Sequence, residues 1–290
     1  MRISLLNAFL FLSIVATLLS QSLAEDIPPP LKGAKPSGTL YQLRVSEIDS
    51  LIMDTSRTYS GTAEKIAEFS RLSLETPYVR GCLGEGSTGK YDKDPLIDFS
   101  RVDCMTFCEQ VLALAISSNY QDTFDNLQKI RYRNGTISFS ARNHFVMADW
   151  LPHNQWLLKN ITEETGGKLC KEMVKTIDRR GFAASLGCND TESFPPPQRL
   201  KITYIPKEHL PAIVDRIKGS EIMVIISSRE GICASHLGFI IQQEDGSHLF
   251  RQASLKEKKV IDEPYDRLYR RLQEDQHTAG IVLIRVREDN

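Results

Sequence analysis

The sequence predicts an α+β fold, and three observations carry that prediction. Apolar residues recur at helical spacing in the first half of the chain, most clearly from Cys104 to Ser118. Short apolar runs bounded by turn residues fill the last third. Asn134-Gly135 and Asp245-Gly246 are the dipeptides that close tight antiparallel hairpins. Helices first and antiparallel strands afterwards is the α+β order.

The elements follow in turn. Arg2 is followed by an almost wholly apolar stretch from Leu5 to Leu19 and by Ser22-Leu23-Ala24. This is the layout of a Sec signal peptide cut after Ala24, so residues 1–24 are expected to leave and the product to be periplasmic or secreted. As a membrane anchor the apolar run is short beside the roughly 20 residues a bilayer needs, and Glu25-Asp26 follow at once. No membrane span is expected once the leader is gone. Residues 25–45 read as a linker through Pro28-Pro29-Pro30 and Pro36-Ser37-Gly38. Residues 46–290 are expected to form one domain with an insertion at about 155–200.

Within that domain, Ile48, Leu51, Ile52, Ile66, Phe69 and Leu72 suit helices broken near Ser60-Gly61. Residues 81–98 are rich in Gly, Ser, Lys and Asp and read as a loop. Cys104, Phe107, Cys108, Val111, Leu112, Ala115 and Ile116 line one helix face. Lys129–Arg133 reads as a strand turning at Asn134-Gly135, with Ile137 and Phe139 beyond it. The insertion carries a Gly166-Gly167 break, a helical stretch to about Arg180 and a stop at Pro195-Pro196-Pro197. Strands are expected at Glu221–Ser227, Ser235–Gln242, His248–Ala253 and Gly280–Val286. The mixed charges from Lys256 to Arg271 read as a solvated face.

The chain has 290 residues, of which 41% are hydrophobic and 25% charged, which excludes a disordered or collagen-like protein. Its 36 basic and 37 acidic residues nearly cancel, so nothing in its overall charge draws it to nucleic acid, and no nucleic-acid partner is expected. All six cysteines lie beyond the leader. An exported compartment permits disulfides. Cys170 and Cys188 bracket the insertion and form a candidate pair, the connectivity of Cys82 and Cys233 stays open, and Cys108 reads as core. His153, His209, His248 and His277 read as surface.

The chemistry gathers at two places. Cys104 opens an apolar helix and His236 opens an apolar strand. A helix N-terminus presents unpaired N–H groups and roughly half a positive charge, both of which favour thiolate over thiol. A histidine can take the thiol proton and return it to a leaving amine, and the helix N–H groups can stabilise an oxyanion. The bland alternatives are a small buried Cys and a satisfied core or loop His. A zinc hydrolase would need further ligands, and no paired Cys or His motif supplies them. No cofactor or metal is expected.

Thr76-Pro77-Tyr78-Val79-Arg80-Gly81, Asp103-Cys104, Ser235-His236-Leu237-Gly238 and Gln252-Ala253-Ser254 occur in an order that resembles NlpC-type cell-wall cysteine peptidases. Asp103-Cys104-Met105-Thr106-Phe107-Cys108-Glu109, Ile130–Gly135, Arg142-Asn143-His144-Phe145 and Asp149-Trp150 resemble, within them, the N-acetylmuramoyl-L-alanine amidase-like branch. The resemblance covers roughly residues 60–287. It implies a papain-like core with the Cys helix packed on an antiparallel sheet. It implies Cys104 as nucleophile, His236 as base and Gln252 as the residue that orients the imidazole, at a position often occupied by His. Gln can accept the imidazole N–H but carries no charge. Tyr78 matches a tyrosine whose hydroxyl lies beside the nucleophile. Asp103 is expected to cap the Cys helix, with Thr106 and Glu109 a rival capping box that would start it later. Arg142, His144 and Asp149 are candidate substrate-binding residues. Arg142 can bind a substrate carboxylate bidentately or belong to a structural ion-pair network.

The activity implied is that of an exported cysteine amidase acting on peptidoglycan or muropeptides, at the N-acetylmuramoyl-L-alanine bond. The alternatives are a γ-D-glutamyl-diaminopimelate endopeptidase and a non-catalytic wall-binding module.

Overall fold

Carboxylates start the first two helices. Glu47 accepts the Arg44 backbone N–H at 2.8 Å and Glu64 accepts that of Gly61 at 3.1 Å, which satisfies N–H groups that a helix end leaves unpaired. These helices are α1 (Val45–Thr58) and α2 (Thr62–Leu72), with the expected break between them. The computed structural model describes residues 39–288. The expected leader and the linker up to residue 38 lie outside the described residues.

Residues 81–98 form the expected loop, pinned from one side. The Arg131 guanidinium donates to the Leu83 carbonyl at 2.9 Å, and the Tyr132 hydroxyl donates to that of Gly84 at 2.7 Å. Helix α3 (Cys104–Ala115) is buried on every side from Thr106 onward, so it is the central helix. Helix α4 (Tyr120–Arg131) overturns the strand and hairpin expected at Lys129–Gly135. Asn119 caps it by accepting the Asp122 N–H at 2.9 Å. Thr123, Leu127, Ile130 and Arg131 then bury one face. Asn134 (φ 55°) and Gly135 (φ 69°) let the chain leave the helix through left-handed conformations.

Strand β1 (Leu158–Asn160) and helix α5 (Thr162–Gly166) precede Gly167, whose φ of 51° marks the expected break. Residues beyond it depart from expectation. Lys171–Ile177 is a strand, β2, paired antiparallel along its whole length with β3 (Gln198–Pro206). The α-helix there is the short α6 (Arg179–Ser185), capped by Asp178. The pattern of Lys171–Ile177 is that of an edge strand.

The remaining strands are β4 (Glu221–Ser227), β5 (Ala234–Gln242), β6 (His248–Ser254), β7 (Lys259–Pro264) and β8 (Thr278–Val286). Together they make an antiparallel sheet in the order β2-β3-β8-β4-β5-β6-β7, with β1 also paired to β8. Gln243 accepts the Gly246 N–H at 3.0 Å in the expected turn between β5 and β6. Strand β4 is buried on both faces. Ile222, Val224 and Ile226 join the core with α1 to α4, whereas Met223 and Ile225 join a second core beneath helix α7 (Tyr265–Glu274). Strand β7 and helix α7 occupy the stretch read as a solvated face. Tyr265, Leu268 and Leu272 are the buried stripe of α7, and its charges lie outside that stripe.

Cys170 and Cys188 are both free, against the expected pairing. They belong to different packing clusters, Cys170 against Leu210 and its neighbours and Cys188 with Phe139, Ala183 and Phe194. Cys108 is fully buried, as expected. His248 is not a surface residue. It is buried and bonded to the Ile217 carbonyl at 3.1 Å. Among the described residues no helix is long and apolar enough to cross a membrane.

Candidate active site

Asp103 builds the start of the cysteine helix. Its Oδ1 accepts the N–H groups of Met105 at 3.1 Å and Thr106 at 2.8 Å, while Thr106 Oγ accepts the Asp103 N–H at 2.8 Å. This reciprocal box places Cys104 at the first helical position and displaces the rival box of Thr106 with Glu109. Glu109 instead lies buried 3.5 Å from Arg131. Asp103 Oδ2 accepts the Gly81 N–H at 2.9 Å, which ties the loop after Tyr78 to the same cap. Tyr78 itself is held between Val102 and Lys258 by backbone pairing.

The Cys104 side chain is half-buried. Burial pushes its thiol up to about 12, and the Asp103 carboxylate adds to the rise. The N–H groups of Leu237, Met105 and Cys104 itself pull the other way without prevailing. The helix-end N–H groups favour thiolate as expected, but desolvation of the charged form outweighs them in the resting molecule. Burial, with the charges of Cys104 and Asp103 next in size, likewise pushes the Tyr78 hydroxyl up to about 12. At neutral pH Tyr78 keeps its proton and can donate it in a hydrogen bond.

His236 sits on β5 opposite Ile225, one residue before the Leu237 N–H that acts on Cys104. Its Nε2 lies 2.6 Å from Gln252 Oε1 on β6, so the two side chains are in hydrogen-bond contact. Burial pushes the imidazole down to about 4. The Gln252 contact raises it, Arg271 lowers it, and Glu263 and Asp103 raise it. The Asp103 carboxylate thus acts on both the thiol and the imidazole. Among the described residues no hydrogen bond joins Cys104 to His236. What ties the two segments is the Leu237 N–H, one residue after His236, which acts on the Cys104 thiol.

Two residues that sequence reasoning passed over stand behind Gln252. Gln252 Nε2 donates to Glu263 Oε2 at 2.7 Å, and Glu263 accepts from Arg271 Nε at 3.0 Å and Nη2 at 2.8 Å. His236, Gln252, Glu263 and Arg271 line one cleft of about 470 Å³ together with Ser254 and Arg267. The only signal in the sequence was Glu263 on β7 followed eight residues later by Arg271 on α7.

The three candidate substrate-binding residues are engaged internally. Arg142 forms ion pairs with Glu85 and, at 2.9 Å, with Asp92, which matches the network reading. His144 Nε2 lies 2.8 Å from the Phe139 carbonyl, within a nest of Phe139, Phe182 and Phe194 rings. Burial pushes its imidazole down to about 4. Asp149 pairs with Arg179 at 2.6 Å, both buried. All three line a separate cavity of about 220 Å³ with Arg179 and Gln198. Among the described residues no cluster of three or more His, Cys, Asp or Glu side chains is arranged to hold a metal ion.

A family model described as AmiA-like, N-acetylmuramoyl-L-alanine amidase-like, matches residues 68–276. Among solved structures, the chain is similar to a Legionella pneumophila protein at 26% identity and a TM-score of 0.74, over 83% of this chain and 94% of that one. It shares its fold with an N-acetylmuramoyl-L-alanine amidase from Bacteroides uniformis at 24% identity and a TM-score of 0.64, over 78% and 99% of the two chains. A Bacteroides fragilis protein provisionally named a xylanase is similar at 26% identity and a TM-score of 0.60, over 74% and 98%. No curated protein sequence matches.

Proposed function

The chain belongs to the AmiA-like, N-acetylmuramoyl-L-alanine amidase-like family, and from that premise we propose that it is an exported cysteine amidase of peptidoglycan fragments with a papain-like, NlpC-type core. The bond cut is that between the N-acetylmuramic acid lactyl group and L-alanine. The observation that supports the cysteine mechanism is that the Leu237 N–H, one residue after His236, acts on the Cys104 thiol at its helix end. A thiol sits on a capped helix end against the Leu237 N–H, and the next residue back, His236, is held by Gln252.

In this mechanism the substrate draws the two neutral groups together. The hydrogen bonds of unliganded catalytic sites are often long and tighten on binding. The Cys104 proton passes to His236 Nδ1 as sulfur attacks the amide carbonyl. The developing oxyanion meets the Cys104 N–H and the Tyr78 hydroxyl. The imidazolium returns the proton to the leaving amine and a thioester remains. Water then adds to the thioester, giving one proton to His236, and collapse releases the acid and restores the thiol. Glycoside hydrolysis would instead ask for two free facing carboxylates, and here Asp103 caps a helix while Glu263 is held by Gln252 and Arg271.

In this reading the insertion at about 155–200 supplies a wall that restricts entry to soluble muropeptides. Product mass analysis of digested muropeptides by native protein and by Cys104→Ala tests the reading. Release of the free stem peptide by the native protein, and none by the folded variant, is expected. Cleavage at γ-D-glutamyl-diaminopimelate would move the bond without moving the mechanism, and turnover by Cys104→Ala would remove it. Fast release from intact sacculus would argue against the wall.

A further inference from the structure

We propose that Glu263 is a positioning residue that selects which imidazole nitrogen of His236 carries the proton, acting through the amide of Gln252, with Arg271 holding Glu263 in that role. The proposal deepens the reading of His236 as the base and rests on it.

The argument is one of donors and acceptors. Arg271 can only donate, and it gives Glu263 two N–H bonds at 2.8 and 3.0 Å, one to each oxygen. Such a fork binds the carboxylate form, which can only accept. The Gln252 amide lies 2.7 Å from Glu263 Oε2. An amide has a donating end and an accepting end, and only the donating end can face a carboxylate. The amide oxygen is therefore turned to His236, at 2.6 Å from Nε2. An amide oxygen cannot donate, so Nε2 must carry the hydrogen. A neutral imidazole has one N–H, which leaves Nδ1 bare and able to take the thiol proton.

Gln252 alone cannot enforce this. Rotating its amide end over end exchanges oxygen for nitrogen with almost no change of shape. The rotated amide would donate to Nε2 and stabilise the tautomer with its proton on Nδ1, which has no lone pair for the thiol. Glu263 makes that rotation costly, because it would point the amide oxygen at a buried carboxylate. The same carboxylate polarises the amide toward His236 once the imidazolium forms. The other charged groups acting on the ring, Arg271 and Asp103, make no bond to the amide, so they do not set its direction.

The test uses the full chain with 15N-labelled histidine, in native form and as Glu263→Ala, Glu263→Gln and Gln252→Ala. Each is followed by thermal melting, by muropeptide turnover and by the nitrogen shifts of His236. Native protein is expected to show the Nε2–H tautomer. Glu263→Ala is expected to show a mixture of tautomers and a kcat lower by roughly tenfold to a hundredfold, with KM little changed. Formate, which can supply the missing carboxylate to Arg271, is expected to restore both the tautomer and the rate in Glu263→Ala and to do neither in Gln252→Ala. Glu263→Gln, which keeps the shape and removes the obligatory acceptor, is expected to fold and still show the mixture. Native-like tautomer and rate in folded Glu263→Ala or Glu263→Gln would overturn the proposal. Turnover that survives Cys104→Ala would instead remove the functional reading beneath it, and the nitrogen shifts would still report whether Glu263 sets the tautomer.

Discussion

Phe107 and Phe239 meet edge-on with ring centroids 5.6 Å apart. Phe107 lies three residues after Cys104 on the helix, and Phe239 lies three residues after His236 on the strand. This aromatic contact is part of the core that packs the helix against the strand. Truncating either ring opens a cavity in the core. Phe107→Ala is expected to cost about 3–5 kcal/mol of stability, measured by urea unfolding. Phe107→Leu is expected to cost less and to lower kcat although no reacting atom is changed. A variant that lost stability at full activity would show that the contact does not set the alignment.

The Asp103 carboxylate raises the Cys104 thiol. Asp103→Asn keeps an oxygen for the Met105 and Thr106 N–H groups and removes the charge. The thiol is then expected to titrate lower and to react faster with iodoacetamide at a fixed mildly alkaline pH. Asp103→Ala also removes the cap, at a cost of about 0.5–2 kcal/mol. Alkylation rates against pH, read beside melting curves, separate the two effects. An unchanged profile in Asp103→Asn would contradict the electrostatic account.

Acid is expected to weaken the fold through two histidines. Burial lowers His144 and His236 to about 4 from an ordinary value near 6.5. For each of these two imidazoles the unfolded chain binds the proton more readily between those limits, so each contributes stability that is lost as pH falls from 6.5 toward 4, while Glu109, raised to about 7 by burial, works in the opposite sense. The shifts bound the loss at about 3 kcal/mol for each histidine. Urea midpoints at several pH values should trace it. His144→Phe, which fills the aromatic nest without a titrating group, should remove the His144 share of that slope.

Asp149 and Arg179 are both buried and paired at 2.6 Å. Arg179 also donates to Gln198 at 2.9 Å and to the Ala148 carbonyl at 3.2 Å, which ties α6 and β3 to the segment after His144. Arg179→Ala leaves Asp149 buried without its partner and is expected to cost about 3–5 kcal/mol. Denaturant unfolding measures this. A variant as stable as the native protein, but with a raised KM for muropeptide, would return Asp149 to the substrate-binding role.

What could be read from the sequence was what depends on nearby residues. The seven apolar positions from Cys104 to Ile116 announce a buried helix, and Asp103 ahead of them announces its cap. Gln252 was named as the partner of His236 by the family resemblance, through its place before Ala253-Ser254, and not by local pattern. Other elements depended on distant partners or shared signals. Asn134-Gly135 supplies two positive φ values, which a hairpin turn and a helix exit both require, so the dipeptide alone cannot separate them. Lys171–Ile177 is extended because β3 pairs with it, and that partner begins more than twenty residues later. The charges of Arg267, Arg270 and Arg271 obscured the stripe of Tyr265, Leu268 and Leu272, and with it the helix that brings Arg271 to Glu263.

The place of β8 has a consequence for how the chain is born. It is the latest strand in the chain, yet it joins β1 and β3 on one side to β4 on the other. A nascent polypeptide that has not yet made residues 278–286 holds two half-sheets with nothing between them. Closure therefore waits for synthesis to reach that strand, and until then the apolar flanks of β3 and β4 remain substrates for holding factors.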